Sequence, residues 1–260
     1  MREAGAHEPS KVRTQFQRSV EEGEERLTRT WPNLLATGMV GGIDIGIGLF
    51  ALLLVLHETG SPLLGGLAFS VGFIALTLGQ SELFTENYLV PLAAVAAGRA
   101  RPFSIGRLWL GTLLTNLVGG WIITGIIMTS TPQLAPTAIE TAKHYIDLGI
   151  GWRSFALAIL GGTVITLMTW MERGSEQVFG KVVAAISGAF LLAAGELNHV
   201  IVVSLETFAA FHAGAPFGYA DWLGSAAWAA LGNTLGGIGF VTVLRLVQVG
   251  RQGVRDGHRR

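Results

Sequence analysis

The 260-residue chain is half hydrophobic and only 14% charged. A soluble domain carries nearer ~25% charge, so a bilayer rather than a soluble core is the natural solvent for this much apolar surface. Zero formal net charge gives no reason to expect a nucleic-acid partner, and the lack of cysteine removes disulfides, thiolate metal sites and cysteine nucleophiles together.

The first 30 residues mix Lys, Arg and Glu and are expected to form a solvated cytoplasmic tail. A surface helix around Gln15 to Leu27 is the alternative, and no cleavable signal peptide is expected. A transmembrane domain, 31–249, follows. A spanning helix needs ~20 mostly apolar residues, and six stretches supply them: Asn33–Leu56, Pro62–Ala97, Ile105–Met128, Arg153–Met171, Val178–Phe211 and Asp221–Val247. The second and fifth are too long for one helix, so both are expected to be interrupted. Most of the 36 glycines lie inside these stretches, where small residues let helices approach closely. Trp31, Trp109, Trp152 and Trp222 fall at span ends, as an interfacial aromatic belt would place them. A basic tail, 250–260, ends the chain.

The loops set the orientation. HETGSP after the first span and HAGAPFGYAD after the fifth lack Lys and Arg. Arg99, Arg101 and Arg107 follow the second span, Arg173 and Lys181 the fourth, and Arg251, Arg255, Arg259 and Arg260 the sixth. The positive-inside rule then puts both termini in the cytoplasm.

The two long spans share a pattern, Ser81-Glu82-Leu83-Phe84-Thr85 against Gly195-Glu196-Leu197-Asn198-His199. The third and sixth share Asn-x-x-Gly-Gly, at Asn116 and at Asn233. Two matches in order at similar offsets predict a duplicated unit of three helices. An odd number of spans per unit makes the repeat inverted, with the interruptions near the midplane, where freed backbone must be buried or line a cavity. Thr85 and His199 are then presented to one pathway from opposite halves.

At SELFTEN and GELNHVIVVS the sequence resembles the formate/nitrite transporter family, over about Leu27 to Val249. GGIDIGIGLF in the first span and the glycine-rich third and sixth spans fit the resemblance. It implies an all-α channel domain of six transmembrane helices with an aquaporin-like inverted repeat, a bacterial inner-membrane homopentamer with one pore per protomer, and passage of small anionic solutes such as formate or nitrite. It also implies that Thr85 is the threonine of the interrupted second span, His199 the central pore histidine, and Lys143 the basic residue that attracts anions. One position departs: the family often has an asparagine in the fourth span where this chain has Gly162.

The chemistry follows from residue type. A neutral or charged imidazole is accessible near physiological pH, so His199 can handle a proton. The Thr85 hydroxyl can donate to an anion oxygen, or instead satisfy freed backbone. Glu82 and Glu196 repel anions and are expected to support the pore structurally, by accepting backbone hydrogen bonds or pairing near the interface. Asn116 and Asn233 are expected to hold the interrupted helices. Phe73, Leu78, Phe190 and Val202 read equally as apolar gates or as packing. Three other functions stay open: a neutral-solute pore, a membrane enzyme with Glu196 and His199 as acid and base, and a scaffold or sensor that transports nothing. No histidine cluster, nucleophile motif or cofactor fingerprint points to a metal, a cofactor or an enzyme.

Overall fold

The computed structural model describes residues 11–258. The first ten residues of the polar segment, and Arg259 and Arg260 of the basic tail, lie outside the described residues. Among the described residues every regular element is helical: α1 Lys11–Thr28, α2 Trp31–Thr59, α3 Pro62–Gly79, α4 Val90–Ala96, α5 Phe103–Ser130, α6 Ala135–Leu148, α7 Trp152–Gly174, α8 Val178–Ala194, α9 Val200–His212, α10 Tyr219–Thr234 and α11 Leu244–His258. A 3-10 turn, Phe84–Tyr88, lies between α3 and α4, and a π-helical segment, Leu235–Val243, joins α10 to α11.

The helix ends follow from local chemistry. Gly60 closes α2 in the left-handed conformation, φ 64°, and its N–H donates to Leu56 O. Ser61 then caps α3 by accepting from Leu64 N at 3.3 Å, with Pro62 in the first turn. At α10 the Asp221 carboxylate accepts from Gly218 N at 2.9 Å. α2 packs chiefly on α3 and α5, and α3 packs on both α2 and α8. Close approach needs glycine at two matching places. A Cβ on Gly42 would lie 2.1 Å from Asn116 O, and one on Gly162 2.1 Å from Asn233 O.

Polar residues lie buried within a mostly apolar core, and many large apolar residues face outward. Thr85, Asn116, His199, Ser204 and Asn233 are fully buried, while Leu63, Leu67, Leu110, Leu114 and Leu231 are exposed. Such a polar interior and apolar exterior suit a hydrocarbon solvent. Five helices are long and apolar enough to cross a membrane: Trp31–Thr59, Pro62–Gly79, Phe103–Ser130, Trp152–Gly174 and Tyr219–Gly257. The fifth apolar stretch is instead two shorter helices, α8 and α9. Two side-chain readings change. Trp109 and Trp222 point inward, donating to Asn87 O and Ser204 Oγ at 3.0 Å each, so only Trp31 and Trp152 are exposed as a belt requires. Leu78 is also exposed, which removes it as a gate, whereas Phe73 and Val202 are buried.

The described part of the N-terminal segment, α1, is packed rather than solvated. Phe16, Val20 and Leu27 on α1 are buried, chiefly against α4, with α5, α7 and α11 alongside. Polar contacts add to this docking. Buried Arg26 pairs with Glu22 at 2.5 Å and Glu82 at 3.1 Å and donates to Asn87 Oδ1 at 3.0 Å. Arg29 also pairs with Glu82, and Arg173 with Glu22 at 2.6 Å. Burial raises the Glu22 carboxyl pKa, but Arg26 and Arg173 outweigh that and hold it below its usual 4.5. A depressed carboxyl contributes stability above its unfolded value that is lost as pH falls through the folded one. A nitroxide label on Glu21→Cys, on the exposed face of α1, should therefore stay immobile at neutral pH and gain mobility only below pH 4.5. Mobility unchanged at low pH would detach the ion pairs from α1 docking.

Candidate functional site

Two helix breaks meet in the interior. α3 ends at Gly79, and residues 80–89 form a loop with the 3-10 turn before α4 starts. α8 ends at Ala194, and 195–199 lead into α9. Each break carries a non-glycine residue at positive φ near its start, Gln80 at 58° and Glu196 at 48°. Each frees backbone groups that low-dielectric surroundings cannot solvate.

One asparagine satisfies each break. Asn116 Oδ1 accepts from Phe84 N at 2.8 Å, and its Nδ2 donates to Glu82 O at 2.8 Å and Gly38 O at 2.7 Å. Asn233 Oδ1 accepts from Val200 N at 2.9 Å, and its Nδ2 donates to Asn198 O at 2.9 Å and Ala158 O at 2.7 Å. These bonds set the correspondence between the breaks. Glu82 matches Asn198, and Phe84 matches Val200, 116 positions on (84 to 200). The shared Glu-Leu pattern suggested Glu82 against Glu196, a register two residues short. In the observed register His199 matches Leu83, and Gln80 matches Glu196.

Thr85 and His199 meet all the same. Thr85 Oγ1 lies 2.7 Å from His199 Nε2, and neither residue is exposed. His199 is also the N-cap of α9, and its Nδ1 accepts from Val202 N at 3.4 Å. With Nδ1 accepting, the ring proton sits on Nε2 and is donated to Thr85. The Thr85 hydrogen is then left to donate elsewhere. Phe84 and Tyr88 stack edge-on at 5.3 Å, and Trp109 covers both at 6.1 and 5.5 Å.

The other sequence-derived residues are dispersed. Glu82 is buried in the ion pairs with Arg26 and Arg29. Glu196 is half exposed, its carboxylate 3.4 Å from His144 Nε2, so it shares no helical face with His199 and forms no acid–base couple with it. Lys143 is exposed on α6 and pairs with Asp147. Gly162 has no space for a side chain, since Asn233 backbone fills it. Sequence reasoning missed Arg26; its Glu at i−4, Glu22, was the available signal. It also missed Tyr88, whose carbonyl accepts from Thr242 at 2.6 Å and whose hydroxyl lies 3.1 Å from Thr234 Oγ1.

Two cavities flank the breaks. One, of about 280 Å³, lies under α1 and mixes Arg18, Arg26, Arg173 and Lys181 with Glu22 and Glu86. The other, of about 500 Å³, lies under α6, and Lys143 does not line it.

The family model for formate/nitrite transporters matches residues 13–247. The chain belongs to the formate/nitrite transporter family. Within that family it is 28% identical to the inner membrane protein YfdC of Escherichia coli, over 76% of this chain and 66% of that protein. It is 31% identical to the formate channel FocA of Haemophilus influenzae, over 54% of this chain and 51% of that one. The chain thus spans about two thirds of the one relative and half of the other. A solved pentameric formate channel with formate bound shares the fold, with a TM-score of 0.68 at 23% identity over 82% of this chain and 95% of that one.

Each asparagine holds three buried backbone groups, and each group left unpaired costs about 1–3 kcal/mol. Asn116→Ala and Asn233→Ala should each lower the thermal midpoint in detergent by roughly 5 °C or more, given about 2–4 °C per kcal/mol at this size. Two small and equal shifts would mean that neither asparagine supports its break.

Proposed function

We propose that this member of the formate/nitrite transporter family is a transmembrane channel or transporter for small monovalent weak-acid anions such as formate or nitrite. The observation that supports this best is the buried Thr85–His199 contact between two helix breaks. An anion entering hydrocarbon meets a large desolvation cost. At the contact it finds a hydroxyl whose oxygen already accepts the His199 Nε2 proton, so the hydroxyl hydrogen is directed outward. At rest the pair therefore offers a hydrogen bond. The imidazole can take up a second proton only at Nδ1, after Val202 N–H is released. An approaching anion favours that charged ring, so proton uptake is tied to anion arrival.

In this reading six spans are formed by α2, α3 with α4, α5, α7, α8 with α9, and α10 with α11, in two inverted halves. The matched asparagine bonds and the two close-packed glycines support the repeat. The protein lies in a bacterial inner membrane with α1, the Arg99–Arg107 loop and the C-terminal tail cytoplasmic, as the loop charges indicate. It assembles as a homopentamer, a state supported by the pentameric solved relative. Glu82, Asn116 and Asn233 support the pore. Lys143 attracts anions only when released from Asp147.

A hydrogen bond to a charged group contributes about 1.5–3 kcal/mol. Thr85→Val and His199→Ala should therefore each lower protein-dependent formate entry into proteoliposomes roughly ten- to hundredfold, read with an internal pH dye. Wild-type flux at every pH in both variants would remove the pair from the pathway. Because the chain has no native cysteine, single-cysteine labelling also tests orientation. Arg101→Cys should stay unlabelled by an impermeant reagent in intact cells and label after lysis, whereas labelling in intact cells would reverse the topology.

A further inference from the structure

The cavity under α6 is lined by His57 from α2, Glu140 and His144 from α6, Glu196 from the second break and Glu206 from α9, with no lysine or arginine among its described lining residues. The cavity under α1 is different, since arginines there answer the glutamates. Glu206 is the decisive residue. It is 3% exposed, and its Oε2 has no hydrogen-bond partner. Its charged neighbour Glu196 repels it. An ionised carboxylate buried with neither donor nor cation is costly, and either a retained proton or a positive charge brought into the cavity removes that cost.

We propose that this cavity is a binding site for a small monovalent cation, held at the Glu206 carboxylate, while Glu196 and Glu140 add negative charge nearer its mouth. The carboxylates and imidazoles are not gathered within reach of one metal ion among the described residues, which argues against a divalent metal. Ammonium and alkali ions share the required chemistry: unit charge, small radius and a ready fit to carboxylate oxygens. Glu206 follows His199 by seven residues, two turns and about 10 Å along α9. The bound cation therefore cancels acidic charge on the approach to the Thr85–His199 contact. Only that last consequence rests on the anion-pathway reading; cation binding does not.

The test is thermal unfolding of the purified full chain in detergent at constant ionic strength. Chloride salts of ammonium, sodium, potassium and the bulky N-methylglucamine cation are compared. Ligand linkage should raise the wild-type midpoint by ~3 °C or more in a saturating small cation relative to N-methylglucamine. A response to ammonium alone, or to the alkali ions alone, assigns the cation. Glu206→Gln should lose that response and be at least as stable as wild type in N-methylglucamine, since its unpaired charge is gone. If that variant fails to fold, Glu140→Gln at the exposed mouth should show a reduced shift. A wild-type midpoint equal in all four salts, or an undiminished shift in Glu206→Gln, or in Glu140→Gln where that variant stands in for it, overturns the proposal. Unfolding does not depend on transport, so loss of formate flux and loss of cation response fail separately.

Discussion

Backbone groups at the two helix breaks have no water to bond to, and each break persists because a single asparagine answers two of them while a third bond anchors it to a neighbouring helix. Much else follows from that constraint. An asparagine that reaches a neighbouring helix as well as the break ties three segments together, so the helices must approach closely. Close approach is what forces glycine at 42 and 162, each against the backbone of the asparagine it faces. With the breaks fixed in depth, Thr85 and His199 are carried into contact from opposite halves, and the histidine ring is oriented by its bond to Val202 N.

The halves keep this clamp and differ in charge. Around the first break, Glu82 is neutralised by Arg26 and Arg29, so an internal carboxylate is tolerated as part of a network that extends to Arg173. Around the second break no lysine or arginine among the described residues pairs with Glu196 or Glu206; His144 lies beside Glu196. The Thr85–His199 contact therefore lies between a charge-compensated cavity and an acidic one. A field that differs on the two sides of a constriction affects the approach of an ion from each side unequally.

Hydropathy alone revealed the helical class and the long stretches, because lipid leaves few structural options. Thr85, His199, Asn116 and Asn233 were visible as polar residues where apolar ones would do. The register between the halves was not. Glu82-Leu83 and Glu196-Leu197 match as letters, but only hydrogen bonds show that Asn198 takes the place of Glu82. Arg26 was hidden in a charge-dense stretch that reads as solvated, since a sequence does not show that a carboxylate 56 positions later (26 to 82) waits for it. Trp109 reads as a span-end belt residue, but its indole turns inward to donate to Asn87 O.

α1 packs chiefly on α4, the helix after the first break, and α6 packs chiefly on α9, the helix after the second. Each also immediately precedes a long apolar helix, α2 in one case and α7 in the other. α1 and α6 thus occupy matching places, each bracing the helix that follows its break. What reads as a solvated tail is then a packed part of the bundle, and its removal would uncover the buried face of the short helix after the first break.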